Sequence, residues 1–247
     1  MSIDWKKYSL IAADILLGGY LLMAVTAFNT PDDEGMTCQR VDINVEDGAV
    51  RGFLDAKAVK NQLQRAGLYP EGDVMSQISV RRIEDALRKN PLVASAECYK
   101  TSTGRIEIVI SQRLPVIRVL ANNGDDYYID SEGNIMPSTQ YASNLLVATG
   151  NISKSYAKKM LTPIGKLVLD SPFWNSQIEQ VNVLADGSVE MVPRVGNHVI
   201  YLGKPAGVSR KLERLKKFYR YGLSHAGWNK YKYISLEFDN QIICRKR

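Results

Sequence analysis

The sequence predicts an α+β protein on a single transmembrane helix, and three observations carry that prediction. Residues 8–28 are a run of 21 residues with one charge, Asp14. Between residues 36 and 120 the hydrophobic pattern changes period in the order β-α-α-β-β. From residue 121 on, short alternating segments are separated by turns rich in Asp, Asn and Gly, with two helical stretches among them. The expected organisation is a cytoplasmic N-terminus at 1–7, a transmembrane helix at 8–28, a linker at 29–35, a compact α+β domain at 36–120 and a mixed, mostly antiparallel β domain with helices at 121–247.

At about 1.5 Å of rise per residue, the run from Tyr8 to Phe28 crosses a hydrocarbon layer of about 30 Å. Lys6 and Lys7 precede it, and Asp32, Asp33 and Glu34 follow it. Basic residues are retained on the cytoplasmic side, so this asymmetry points the short N-terminus inward and leaves everything after residue 28 outside the cytoplasm. A cleaved signal peptide is the competing reading, since Val25-Thr26-Ala27 satisfies a small-residue cleavage site. The run exceeds the roughly 7 to 15 apolar residues of such a segment, which favours a retained anchor. Asp14 costs about 2.5 to 3.5 kcal/mol near the bilayer centre. A partner helix, or a position near enough to the cytoplasmic interface to stay hydrated, answers that cost equally well.

In the first domain, Val41, Ile43 and Val45 alternate with polar residues, as a half-buried strand requires. Asp55 stands as an N-cap before a helix with Val59, Leu63 and Ala66 on one face, closed by Gly67 and Pro70. A second helix aligns Val80, Ile83 and Leu87 and stops at Asn90-Pro91, because the residue before a proline avoids helical backbone angles. Strands at 93–100 and 105–112 follow, joined across 101–104, and the second turns Ile106, Ile108 and Ile110 to one side. In the later domain, strands at 127–130 and 134–136 flank the turn Ser131-Glu132-Gly133, and strands at 181–184 and 189–192 flank 185–188. Another short strand is expected at 199–202. Helices are expected at 155–169, which Pro163 should kink or split, and at 210–221. Strands at 233–238 and 241–245 about the turn Asp239-Asn240 close the chain.

Net charge is +6, and its distribution is uneven. Residues 204–247 hold 12 basic and 3 acidic residues, so the remaining chain, with 20 basic and 23 acidic residues, is slightly acidic. Arg210, Lys211, Arg214, Lys216, Lys217 and Arg220 share a helix with Leu212, Leu215, Phe218 and Tyr219, so one side packs and the other stays basic. A solvated face, anionic lipid headgroups or an acidic partner segment each account for that charge, whereas nucleic acid does not fit an address outside the cytoplasm.

Cys38, Cys98 and Cys244 show no CxxC spacing and the only histidines are His198 and His225, which is poor material for a zinc site. Their odd number excludes full internal pairing and leaves a single bridge open, for example Cys38 to Cys98. Asp125, Asp126, Asp130 and Glu132 crowd together but miss the D-x-[DN]-x-[DN]-G spacing of a calcium loop, and read as hairpin and loop residues. The chain has no GxSxG elbow, Walker sequence or GxGxxG fingerprint, and no motif sets a nucleophile beside either histidine. The expectation is a protein without catalysis, cofactor or metal. Tyr219, Tyr221, Tyr231 and Tyr233 cluster with Trp228, with Tyr219 expected in the core and Tyr233 at an interface.

Four features, in chain order, resemble the bacterial cell-division family FtsQ/DivIB. A short start and one span lead to a β-α-α-β-β unit similar to a POTRA domain. Within that unit, Asn90-Pro91-Leu92-Val93 precedes a strand pair that leaves through Gln112-Arg113-Leu114-Pro115-Val116, where the family has a Pro-Trp/Leu-Val turn and a Glu-Arg-x-Pro exit. Gln112 departs from that pattern. Tyr128-Ile129-Asp130-Ser131-Glu132-Gly133 resembles the hairpin that opens the family's β domain, and residues 233–243 (YISLEFDNQII) resemble its closing strand pair.

The resemblance covers nearly the whole chain. It implies a non-catalytic divisome scaffold in the cell inner membrane at the division septum, with its domains in the periplasm, that recruits and holds the single-span proteins FtsB and FtsL. It also implies a site, at which an FtsB segment adds as a further strand to an edge of Gln241, Ile242, Ile243, Cys244 and Arg245, with Tyr233 and Ser235 on the neighbouring strand.

Such a site is physically reasonable. A strand that ends a chain has no successor in sequence to pair with, and at a sheet edge its outer N–H and C=O groups are open to an incoming segment. Arg245, Lys246 and Arg247 then either offer a positive rim to an acidic partner or guard the edge against aggregation. Two rivals are a POTRA-bearing component of transport or outer-membrane assembly, and a membrane-tethered enzyme of the envelope. The first would normally precede a β-barrel, and helices with polar turns follow here instead.

Overall fold

The computed structural model describes residues 5–27, 35–46, 54–138 and 145–247, so the expected linker lies outside the described residues except for Gly35. Helix α1 is Trp5–Ala27. Side chains are described along it from Ile11 to Ala24, where Leu16, Leu22 and Met23 are at least 70% exposed. Among the described residues no helix is long and apolar enough to cross a membrane. Membrane insertion of the stretch 8–28 is therefore an inference from sequence.

The chain divides into two compact units: 1–45, 56–87 and 96–110 make the first, and 46–55, 88–95 and 111–247 the second. The first unit is built on β1 (Arg40–Glu46), α2 (Ala56–Arg65), a 3-10 turn at Met75–Gln77, α3 (Val80–Arg88), β2 (Val93–Lys100) and β3 (Arg105–Gln112), of which Glu46, Arg88, residues 93–95 and residues 111–112 at the ends group with the second unit. Its three-stranded sheet has the order β1-β3-β2. The central strand buries Ile106, Ile108 and Ile110 completely, and Val59, Leu63, Ile83 and Leu87 of the two helices are equally sequestered. Alternate residues of β3 and one face of each helix thus share the burial that stabilises this small unit. Ala66 is exposed because α2 stops at Arg65, one residue short of the expected face.

Cys38 and Cys98 are both buried free thiols. Burial pushes the Cys98 thiol up to about 12, with the nearby Glu84 carboxylate adding to the effect. Cys38 leads into β1, and β1 and β2 flank β3 rather than each other. Cys38 is near enough to act electrostatically on the Cys98 thiol, yet both remain free thiols, so the bridge left open by the sequence is not made in this structure.

The second unit is a nine-stranded mixed sheet of order β12-β11-β10-β9-β8-β7-β4-β5-β6. Its strands are β4 (Pro115–Ala121), β5 (Asp126–Asp130), β6 (Ile135–Pro137), β7 (Leu146–Gly150), β8 (Ile178–Val183), β9 (Val189–Pro193), β10 (Val199–Gly203), β11 (Tyr231–Ser235) and β12 (Ile243–Lys246). Five of the eight pairings are antiparallel, and β4 with β7, β7 with β8, and β10 with β11 are parallel. The sequence reading places no strand at 115–121 because Val116, Ile117 and Val119 are all buried, which erases the alternation expected of a half-buried strand. The boundary expected between residues 120 and 121 falls at the end of this strand, which pairs with both β5 and β7.

Parallel neighbours need long crossovers, and helices supply two of them. Between β7 and β8 run α4 (Lys154–Tyr156), a π turn at Ala157–Leu161, α5 (Thr162–Leu169) and α6 (Pro172–Gln177). Proline has no N–H to give its preceding turn, and instead of breaking at Pro163 the helix widens just before it: the Thr162 N–H donates to the Ala157 carbonyl five residues back. Between β10 and β11 run α7 (Val208–Phe218), a second π turn at Tyr219–Leu223 and α8 (Ser224–Ala226). Ile164, Val168, Leu212, Leu215 and Tyr219 pack from these helices onto Val119, Ala148, Val181, Met191, Ile200 and Ile234 of the sheet in one hydrophobic core. Gly150, at φ +103°, marks the tightest approach, because a Cβ there would lie 2.7 Å from Asn182 Oδ1 and 2.9 Å from the Val183 nitrogen.

Candidate functional site

The seven residues expected at the partner-binding edge fall on two strands and the approach between them. Tyr233 and Ser235 lie on β11, Ile243, Cys244 and Arg245 on β12, and Gln241 and Ile242 precede β12 outside any strand. The closing strands are thus shorter than the 233–238 and 241–245 expected. Arg214 supplies the reason: its Nη2 donates to the Leu236 carbonyl at 3.0 Å and its Nη1 to the Phe238 carbonyl at 2.6 Å, which turns both carbonyls away from a ladder. The strand pattern at Leu236 to Phe238 was therefore not enough to keep this stretch extended.

β11 lies between two unlike neighbours. It runs parallel to β10, with Val199 opposite Tyr233 and Tyr201 opposite Ser235, and antiparallel to β12, with Tyr233 opposite Arg245 and Ser235 opposite Ile243. β12 ends the sheet, and among the described residues no strand pairs with its other side. In an antiparallel strand alternate residues direct both backbone groups to the neighbour and the rest direct them away, so half of the polar backbone of β12 faces outward.

Side chains divide between two faces. Ile242 and Cys244 pack against the core, and burial raises the Cys244 thiol pKa. On the other face Ile243 is 48% exposed, beside the buried Ser235. The Tyr233 ring stacks on Tyr201 with centroids 5.8 Å apart, and the Arg245 guanidinium lies over its opposite side at 5.3 Å. Burial, and then the Glu190 carboxylate, raise the Tyr233 hydroxyl pKa. Glu190 pairs with Tyr201 across β9 and β10. Tyr201 and Glu190 are thus part of the surface around the edge. Sequence alone gives each its side of a strand, but not the register that brings them to Tyr233.

The C-terminal cations are not equivalent. Arg245 is held over Tyr233, Arg247 donates through Nη2 to the Asn197 carbonyl at 3.2 Å, and Lys246 is exposed.

The other candidates have structural partners. Asp130 accepts from Arg113 Nη1 at 2.7 Å, from the Glu132 and Asn134 N–H groups at 2.9 and 2.7 Å, and from Asn134 Nδ2 at 2.9 Å, which closes the hairpin between β5 and β6. Burial works to raise its carboxyl pKa, but these donors outweigh burial and hold it below the usual range. Asp126 pairs with Arg118, and Asp125 with Asn123. Among the described residues no group of three His, Cys, Asp or Glu side chains is placed to hold a metal ion. His198 is buried, with Nε2 hydrogen-bonded to the Tyr219 hydroxyl at 2.8 Å, and His225 is exposed.

A family model described as FtsQ/DivIB, C-terminal related, matches residues 114–245, and a POTRA-like domain model matches residues 36–111. The chain is also similar to the cell division protein FtsQ of Salinibacter ruber (strain DSM 13855 / M31), at 25% identity over 222 residues that cover 84% of this chain and 85% of the relative.

Proposed function

The chain belongs to the FtsQ/DivIB, C-terminal related family, and we propose on that footing that it is a non-catalytic scaffold of the dividing cell envelope. It recruits and holds single-span division proteins of the FtsB and FtsL kind by accepting one of their segments as a further strand beside β12. The stretch 8–28 anchors it in the inner membrane, with the N-terminus cytoplasmic and the POTRA-like and β domains on the periplasmic side at the septum. The contact residues are Tyr233, Ser235, Gln241, Ile242, Ile243, Cys244 and Arg245.

The observation that supports this reading is the position of β12, which has a strand neighbour on one side only. Backbone bonds supply general affinity to any extended segment, and the side chains of the exposed face, Ile243, Tyr233 and Arg245, supply selectivity. An acidic partner residue suits the cationic end of the strand.

Ile243→Pro tests it in the full-length chain held in detergent, with capture of an FtsB-like fragment as the readout. Proline removes a donor from the strand whichever way that N–H points, so capture is lost while the first unit keeps its fold. Undiminished capture by this variant rejects strand addition at β12. Arg245→Glu, an exposed change that leaves the ladder intact, should weaken the same capture in a salt-dependent way.

A further inference from the structure

The basic helix of the second unit touches the approach to β12 through Arg214, but its exposed side is separate from that edge and has a shape as well as a charge. Of the six cations of α7 and the π turn that follows, two are committed. Lys211 is buried, with Nζ donating to the Leu202 and Lys204 carbonyls at 2.6 and 3.1 Å, and Arg214 holds the turn between β11 and β12. Lys216, Lys217 and Arg220 are exposed, and among the described residues none of them makes an ion pair.

These three cations rim two adjoining recesses of about 390 and 340 Å³ that share Lys216 and Arg220. The larger is floored by Phe173, Tyr219 and Trp228. That floor is preorganised: Trp174 lies edge-on to Phe173 at 4.8 Å and 6.2 Å from Tyr219, which meets Trp228 at 5.0 Å. Lys216 is drawn to the wall, its Nζ 4.8 Å over the Phe173 ring. The smaller recess continues outward past Lys217 to Tyr221, which is 66% exposed, with Glu213 as its one acidic lining residue.

We propose that this groove is a second docking site, for an acidic segment of a partner protein that carries one aromatic or large aliphatic side chain. Carboxylates meet Lys216, Lys217 and Arg220 at the rim, and the apolar side chain enters the aromatic recess. Three cations within five residues repel one another until such a ligand neutralises them. A bilayer surface fits the groove poorly. A helix that lies on lipid projects its apolar face outward, whereas Leu212, Leu215, Tyr219 and Leu223 point into the core and the aromatic floor is recessed behind the cations. The site uses no residue of β11 or β12 and stands or falls independently of strand addition there.

The full-length chain in detergent is titrated into a labelled short peptide of glutamates and aspartates around one central tryptophan, with fluorescence anisotropy as the readout. Saturable binding is expected, weakened by about ten-fold or more in the exposed double variant Lys217→Glu/Arg220→Glu, and weakened again when glycine replaces the tryptophan. Ile243→Pro leaves this binding unchanged. Absence of saturable binding, indifference to the charge reversals, or equal binding of the glycine peptide each overturns the proposal. A parallel arm uses phosphatidylglycerol vesicles with the same variant. Vesicle binding lost in that variant, without peptide binding, assigns the groove to lipid and overturns the proposal as well.

Discussion

The Arg245 guanidinium lies 5.3 Å above the centre of the Tyr233 ring, on the side opposite Tyr201, so the outermost strand is tied to the sheet by a side-chain stack as well as by its ladder. A four-residue strand at the end of a sheet makes few backbone bonds, and such a stack limits fraying.

Removing the cation from this stack has a stability cost and a titration signature. Arg245→Ala should destabilise the second unit by about 0.5 to 1 kcal/mol, read as a shift in the urea midpoint. Arg245 is the one cation lowering the Tyr233 hydroxyl pKa against burial and Glu190, so the same variant raises that pKa further in an alkaline titration followed by NMR. An unchanged midpoint and an unchanged Tyr233 titration would show that the stack contributes nothing.

Acid should weaken the second unit through His198. Burial lowers its folded pKa below the ordinary 6.5. Between those two values the unfolded chain binds more protons than the folded one, so stability rises with pH in that window. Lowering the pH through 6.5 toward the folded pKa therefore erodes stability, with a slope bounded by about 1.4 kcal/mol per pH unit. His198→Gln should flatten this dependence in urea melts across that range. An identical slope in the variant would assign the acid sensitivity elsewhere.

A second, lower window belongs to Asp130. Its folded pKa lies below the ordinary 3.8, so its contribution is present above that value and is lost as pH falls through the folded pKa. At neutral pH, Asp130→Ala strands the largely buried Arg113 and leaves the Glu132 and Asn134 amides without their acceptor. A loss of about 2 to 4 kcal/mol is expected, and Asp130→Asn, which keeps an acceptor, should lose less. Equal losses in the two variants would mean that Asp130 acts through packing alone.

Local chemistry alone determined much of this protein. Period-2 alternation fixed β1 and β3, helical spacing fixed Val59 with Leu63 and Ile83 with Leu87, and glycine-bearing turns fixed the hairpins at 131–133 and 185–188, because each signal needs only neighbouring residues. Order along the chain then carried the resemblance to the FtsQ/DivIB family that the family model matches over residues 114–245. Tertiary structure decided the rest. β4 is invisible as an alternation because Val116 and the exposed Leu120 put apolar residues on the same side as Arg118, and Lys211 reads as surface charge until the Leu202 and Lys204 carbonyls call it inward. Arg214 shortens the closing strands from 24 residues away by taking the Phe238 carbonyl. Which strand ends the sheet, and that Tyr201 and Arg245 enclose Tyr233, depend on register between strands distant in sequence, and register is set only when a whole face is buried together.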